Sequence, residues 1–409
     1  MTTSLLLAAG LISSVAAGAA VPSTGGPAGG QPGWHLQTGS ADPGGRTVVG
    51  PDGRVTVQPR PAQPAPLAGR SGMPPGRFPG CLRSPVCGRI GSISRQAVEH
   101  VIWDQATGYG FSYPFQMPPG PGGVPGAGVD SKGNVWVFQR KPKDMAQLFK
   151  FDPQGHVLIT VSPDVIGYQE KAHAIAVDRH DNVWISDATG ATVMQLSPDG
   201  RLLKTIGTKD RRGDWDESKG QHLLWQPVSI AFGPNGDMYI GEGHGNESPN
   251  DVDSDDVANN IGAARIMHFD PSGNFVGQWF GNDVGQGKFE QTHGLGVDPK
   301  TGDVWIGDRE QYRIVIYTGD GKFLRTIQMR NLVCAIAFDP QGNPWIASGQ
   351  DGQILRIDRT GKILAAIGAG PGIDPGKFIE AAFFAFDRNG VMYVGDTSIG
   401  RAARIAPEK

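Results

Sequence analysis

His173 and His293 hold the same place in two of six related segments, five residues before the residue that opens a turn. Imidazole is the commonest protein ligand for zinc, and a catalytic zinc takes three protein ligands and keeps one position open. Two histidines at equivalent places can begin such a site; the alternative is a pair of hydrogen-bonded core histidines. The other four segments carry Pro125, Val228, Cys334 and Ala382 there, so a symmetric third ligand from the sixth segment is replaced by Ala382. Ten or eleven residues after the turn residue, Arg140 and Arg309 match in the first and fourth segments, and His244 follows Glu242 there in the third. Guanidinium forks suit a ligand that bears a carboxylate. Against this, Arg309 could simply pair with Asp308 or with an acid of a neighbouring segment. The candidate metal ligands are therefore His173, His293 and His244, and the candidate catalytic residues Arg140, Arg309 and His244.

The elements that must position these residues are repeats. The clearest copy is HGLGVDPKTGDVWIGDREQYR (293–313), with relatives such as AVDRHDNVWISDA (176–188) and AFDRNGVMYVGDT (385–397). The turn residues Asp130, Asp178, Gly233, Asp298, Asp339 and Asp387 are spaced by 48, 55, 65, 41 and 48. Each copy reads as two short strands joined by a hairpin turn. A second strand–turn–strand follows in five of them, as in VMQLSPDGRLL (193–203). Four short strands in each period of about 40–50 residues describe an all-β, six-bladed β-propeller, one blade per repeat. The histidine position then begins the innermost strand, beside the central channel. The sixth segment ends after its third strand, and an open edge is an aggregation risk. The strand-like AVEHVIW, Ala97–Trp103, is expected to complete that blade. Insertions at 209–227 and 243–265 lengthen the connections around the third blade and are expected on a rim, where loops carry function.

The 409 residues include 61 Gly and 32 Pro, which suits a fold with a tight turn every few residues. The net charge is −3, from 37 basic and 40 acidic residues without a long basic run, which argues against nucleic acid or an anionic membrane as partner. Met1–Ala20 is apolar, uncharged and ends in small residues; it reads as a signal peptide of a secreted or periplasmic protein, too short for the alternative of a membrane anchor. Residues 21–94 read as a Gly/Pro-rich disordered leader or linker, and 95–409 as the propeller. Within 21–80, 14 Gly and 12 Pro leave too little apolar surface to offset ordering entropy; TVVGPDGRVTV (47–57) is the hairpin candidate there. Cys81 and Cys87 are expected to form a local disulfide after export, and Cys334, in LVCAIAF, to be a small buried side chain. The run Asp251, Asp253, Asp255, Asp256 opens like a calcium loop. It has Asp256 where the glycine belongs and Gly262 where the glutamate belongs, and reads as a solvated charged loop. The chain carries no G-x-S-x-G, phosphate-binding glycine loop or C-x-x-C, which leaves hydrolase, kinase and thiol-redox chemistry without support.

Over roughly residues 125–405 the chain resembles the NHL-repeat propellers and, more closely, the peptidyl-α-hydroxyglycine α-amidating lyases. That family is a six-bladed propeller with a channel zinc held by three histidines; it cleaves a peptidyl-α-hydroxyglycine into a peptide amide and glyoxylate. The resemblance places one active-site arginine on Arg140 in VWVFQR and the other on Arg309 in GDRE. It places zinc histidines on His173 and on His293 in THGLGVD, and matches a further family segment at Arg330, Asn331 and LVCAIAF. Three departures stand out: Ala382 replaces the third zinc histidine, Phe383 the aspartate after it, and His244 the catalytic tyrosine. The family's structural calcium thereby loses that aspartate. The resemblance implies a zinc-dependent, lyase-like channel site in altered form, with His244 as third ligand or in place of the tyrosine base. Its ligand would be a small molecule or peptide in the channel. The alternative is a non-catalytic propeller that binds a protein, peptide or glycan on its rim. A calcium-dependent lactonase-like channel would need several carboxylates and amides where this chain has His, Arg and Ala.

Overall fold

The computed structural model describes residues 108–118, 122–244, 264–281, 284, 289–329 and 332–408, together with the backbone of two earlier strands. Those strands, β1 (Arg46–Val49) and β2 (Val55–Gln58), pair antiparallel with Arg46 opposite Gln58, which is the hairpin expected from TVVGPDGRVTV. Several features lie outside the described residues: Met1–Ala20, Ala97–Trp103, Cys81 and Cys87, Asp251 to Asp256, and Arg330 with Asn331.

After β3 (Tyr109–Ser112) come six four-stranded blades. The first holds β4 (Gly126–Val129), β5 (Val135–Phe138), β6 (Leu148–Phe151) and β7 (Val157–Val161), and the second β8 (Ala172–Val177), β9 (Val183–Asp187), β10 (Thr192–Leu196) and β11 (Leu202–Gly207). The insertion at 209–227 adds a small hairpin, β12 (Trp215–Asp216) with β13 (Gln221–His222). The third blade holds β14 (Pro227–Phe232), β15 (Met238–Glu242), β16 (Arg265–Phe269) and β17 (Phe275–Trp279). The fourth holds β18 (Thr292–Val297), β19 (Val304–Asp308), β20 (Arg313–Tyr317) and β21 (Phe323–Gln328). The fifth holds β22 (Ala335–Phe338), β23 (Pro344–Ala347), β24 (Ile354–Ile357) and β25 (Ile363–Ile367). The sixth has β26 (Ala381–Phe386), β27 (Met392–Asp396) and β28 (Arg401–Pro407), and β3 supplies its fourth strand.

The blade is thus closed from the N-terminal side, as the missing strand required, but by Tyr109–Ser112 rather than by Ala97–Trp103. Arg404 lies opposite Ser112 and Pro407 opposite Tyr109. The physical reason is aromatic packing: Tyr109 meets the Trp345 ring edge-on at 5.7 Å, and Phe111 meets Phe378 at 5.9 Å. Blades six and one also join directly, where Phe383 N donates to Pro125 O at 3.0 Å. Small residues are obligatory at this seam, because a Cβ on Gly126 would stand 2.8 Å from both Ile175 and Phe383.

Two polar devices recur. At the turns, Asp130, Asp339 and Asp387 each accept the backbone N–H groups two and four residues on, at 2.8–3.0 Å. At the end of the second strand, four blades carry a buried acid that grips the loop leading into the first strand of the same blade. Asp187 accepts from Glu170 N and Lys171 N, Glu242 from Trp225 N, Asp308 from Glu290 N and Gln291 N, and Asp396 from Ile379 N and Glu380 N, at 2.7–3.3 Å. A cation answers each acid: Lys209, Arg265, Arg313 and Arg401, at 2.5, 2.5, 2.7 and 3.8 Å.

Removing one partner of such a buried pair leaves the other charge uncompensated. Asp308→Ala should therefore lower the unfolding free energy by about 3–5 kcal/mol, read from urea denaturation; a loss well under that range would show that the grip is dispensable. Asp396 gives a second readout. Burial pushes its carboxyl up from 3.8 to about 7, against the opposing pull of the Ile379 N–H and Arg401. Between these values the folded chain holds a proton that the unfolded chain has released. Stability should thus fall as pH rises from 3.8 to about 7, and Asp396→Asn should flatten that slope.

Candidate active site in the channel

His173 is the second residue of β8 and His293 the second residue of β18. Their rings meet edge-on at the channel, with centroids 4.8 Å apart and planes at 68°. His244 reaches the same point from the end of β15. Gly243, at φ 109°, turns the chain there, and His244 N donates to Gln226 Oε1 at 3.0 Å. The His244 ring lies 4.8 Å from His173 and 5.3 Å from His293. All three side chains are buried, and one ring nitrogen of each lies within 4.8 Å of the others.

Backbone carbonyls orient two of the three. His173 Nδ1 donates to Val228 O, and His293 Nδ1 to Cys334 O, both at 2.7 Å. A carbonyl can only accept, so Nδ1 carries the proton and Nε2 keeps its lone pair. Burial holds all three imidazoles well below the usual histidine range. Neighbouring groups add to it: His293 and Arg140 around His173, Lys171 around His244, and Arg309 around His293. The histidines are therefore neutral at pH 7, the form that binds a metal. A buried set of three neutral imidazoles, two already fixed in tautomer by carbonyls, fits zinc.

Arg140 and Arg309 stand beside this cluster. Arg140 Nε donates to Ala172 O at 3.0 Å, next to His173. Arg309 does not pair with its neighbour Asp308, whose carboxylate holds Arg313 by Nε at 2.8 Å and Nη2 at 2.7 Å. Instead Arg309 Nη2 lies 3.2 Å from Glu380 Oε1, on the sixth blade. The structure therefore brings all five candidates to one region.

Three further residues shape it. Lys171 and Glu380 each stand seven residues before their turn residue, a position that also holds Gly123, Gln226, Gln291 and Leu332. The repeat alignment that exposes the histidines would have shown this second ring of side chains. Phe383 stands four residues before its turn residue, where the other blades hold the small Gly126, Ala174, Ser229, Gly294 and Ala335. Its ring stacks on His293 at 5.7 Å and 8° and meets His173 edge-on at 5.5 Å, so the sixth blade contributes an apolar wall. Cys334 is buried as expected, yet its Sγ also lies 3.8 Å from Glu380 Oε1.

No family model matches the chain. It is 26% identical over 253 residues to the peptidylglycine alpha-amidating monooxygenase of Rattus norvegicus, covering 54% of this chain and 23% of that protein. It is 26% identical over 163 residues to the peptidyl-alpha-hydroxyglycine alpha-amidating lyase 1 of Drosophila melanogaster, covering 37% and 26%. The chain thus spans about a quarter of the length of these relatives. Among solved structures, a gluconolactonase of Xanthomonas campestris superposes with a TM-score of 0.54 at 12% identity, over 74% of this chain and 91% of that one; the likeness is one of fold. The chain is a six-bladed β-propeller distantly homologous to the peptidyl-glycine α-amidating proteins, with a buried three-histidine cluster in its channel.

Proposed function

We propose that this propeller is a zinc-dependent lyase acting on carboxylate-bearing substrates of the α-hydroxyglycine type, through an altered form of the lyase site. The observation that carries this reading is the buried cluster His173, His244 and His293, with two Nδ1 protons committed to backbone carbonyls. His244, from the third blade, serves as the third ligand in place of a histidine at Ala382. Bound zinc would supply Lewis acidity, polarising a substrate oxygen and lowering the pKa of its hydroxyl.

The chain's own groups bind and orient. Arg140 and Arg309 take the substrate carboxylate, and guanidinium geometry fixes its plane. Phe383 closes one side of the cluster to water, which strengthens every charge interaction inside. In the reaction the substrate hydroxyl gives up its proton, the carbon–nitrogen bond breaks, and the nitrogen leaves protonated as an amide. A substrate at a peptide terminus suits the reading of Met1–Ala20 as an export signal.

Metal analysis of purified protein tests the ligand set. Stoichiometric zinc should be present in the wild type and lost in both His173→Ala and His244→Ala; zinc retained by His244→Ala would remove His244 from the ligand set. Release of glyoxylate from an N-acyl-α-hydroxyglycine tests the reaction. Losing a charge-assisted hydrogen bond in Arg140→Ala should cost about 10- to 100-fold in kcat/KM, chiefly through KM. A wild-type protein that holds zinc and releases no glyoxylate would favour a binding propeller.

A further inference from the structure

The channel carries a carboxylate of its own. Glu380 lies in the loop before β26, where Asp396 Oδ1 accepts its backbone N–H at 3.3 Å. Its Oε1 is 3.2 Å from Arg309 Nη2 and 3.8 Å from Cys334 Sγ, so one side chain of the sixth blade meets the fourth and the fifth. The two partners are unequally placed: the Arg309 side chain is 4% exposed and that of Glu380 21%. The Arg309 side chain is walled in, while that of Glu380 is partly open to solvent. The contact is also longer than the 2.8 and 2.7 Å by which Arg313 grips Asp308.

We propose that Glu380 is a specificity-determining residue: a resident carboxylate that occupies Arg309 and that a ligand carboxylate must displace. This inference rests on the reading of the channel as a carboxylate site, and not on turnover. An incoming anion meets a guanidinium already neutralised, and it meets the repulsion of Glu380 until that side chain moves. A neutral ligand makes no claim on Arg309 and feels neither effect. Glu380 therefore handicaps anions bound by their carboxylate alone, and favours those with further contacts to offset the displacement.

The test is calorimetric titration of the zinc-loaded full chain with N-acetylglycine, which carries the carboxylate, and with its neutral amide. Glu380→Gln should bind N-acetylglycine about ten-fold more tightly than the wild type, the scale of one charge-assisted hydrogen bond, with no gain for the amide. A structural ion pair would behave otherwise: unchanged affinity, or an equal change for both ligands, overturns the proposal. Should the glutamine variant not fold, Glu380→Ala reads the same difference. Arg309→Gln separates the two levels of failure. If it abolishes binding that Glu380→Gln does not tighten, the role of Glu380 fails and the carboxylate site stands. If N-acetylglycine binds neither the wild type nor Glu380→Gln, the carboxylate reading of the channel fails and takes this inference with it.

Discussion

Most of the channel depends on the buried acid that ends the second strand of four blades. Asp187, Glu242, Asp308 and Asp396 each accept backbone N–H groups from the loop that leads into the first strand. That loop is where the channel-facing residues begin, so the acid sets the position of Lys171, Gln291 and Glu380 and, just beyond two of them, of His173 and His293. Each acid is itself buried and answered by a cation. The arrangement is costly to desolvate and costly to break, which ties the mouth of each of these four blades to its second strand.

On that support the three histidines are gathered asymmetrically. They come from the second, third and fourth blades, and the sixth supplies Phe383 and Glu380 instead of an imidazole. Gly243 makes the difference. It stands where other blades place Arg140, Ala188, Arg309 or Thr397, and its positive φ, a conformation that other residues rarely adopt, turns the following His244 inward. The cluster thus leans toward one side of the channel, with an aromatic wall at its back.

The electrostatics of this pocket are uneven as well. Lys171, Arg140 and Arg309 all act on the imidazoles in the direction that favours the neutral form, and burial acts the same way. An environment that discourages a further cation from forming keeps the nitrogens available as ligands. It also favours an anionic guest, and Glu380 is the anion already resident among these groups.

The repeat was legible in the sequence because each copy carries its own turn chemistry between apolar strands: in five of the six copies an aspartate caps the turn, and in the third Gly233 takes its place. Six copies at spacings of 41 to 65 residues determined the blade count, and repeat position singled out His173, His293, Arg140 and Arg309; His244, read from the sequence as matching the arginines, stands one residue beyond their place, which Gly243 fills. Such equivalence works because residues at the same place in each blade share a radius and a height in the ring. Its limit is what differs between blades. Which N-terminal segment closes the ring was decided by where Tyr109 and Phe111 find Trp345 and Phe378, residues more than 200 positions away in the chain. One partner of Arg309 was decided likewise: the adjacent Asp308 is committed to Arg313, and the Arg309 guanidinium reaches a carboxylate two blades on. Local sequence determines what a strand and a turn will be; only closure of the ring brings distant side chains close enough to choose among partners.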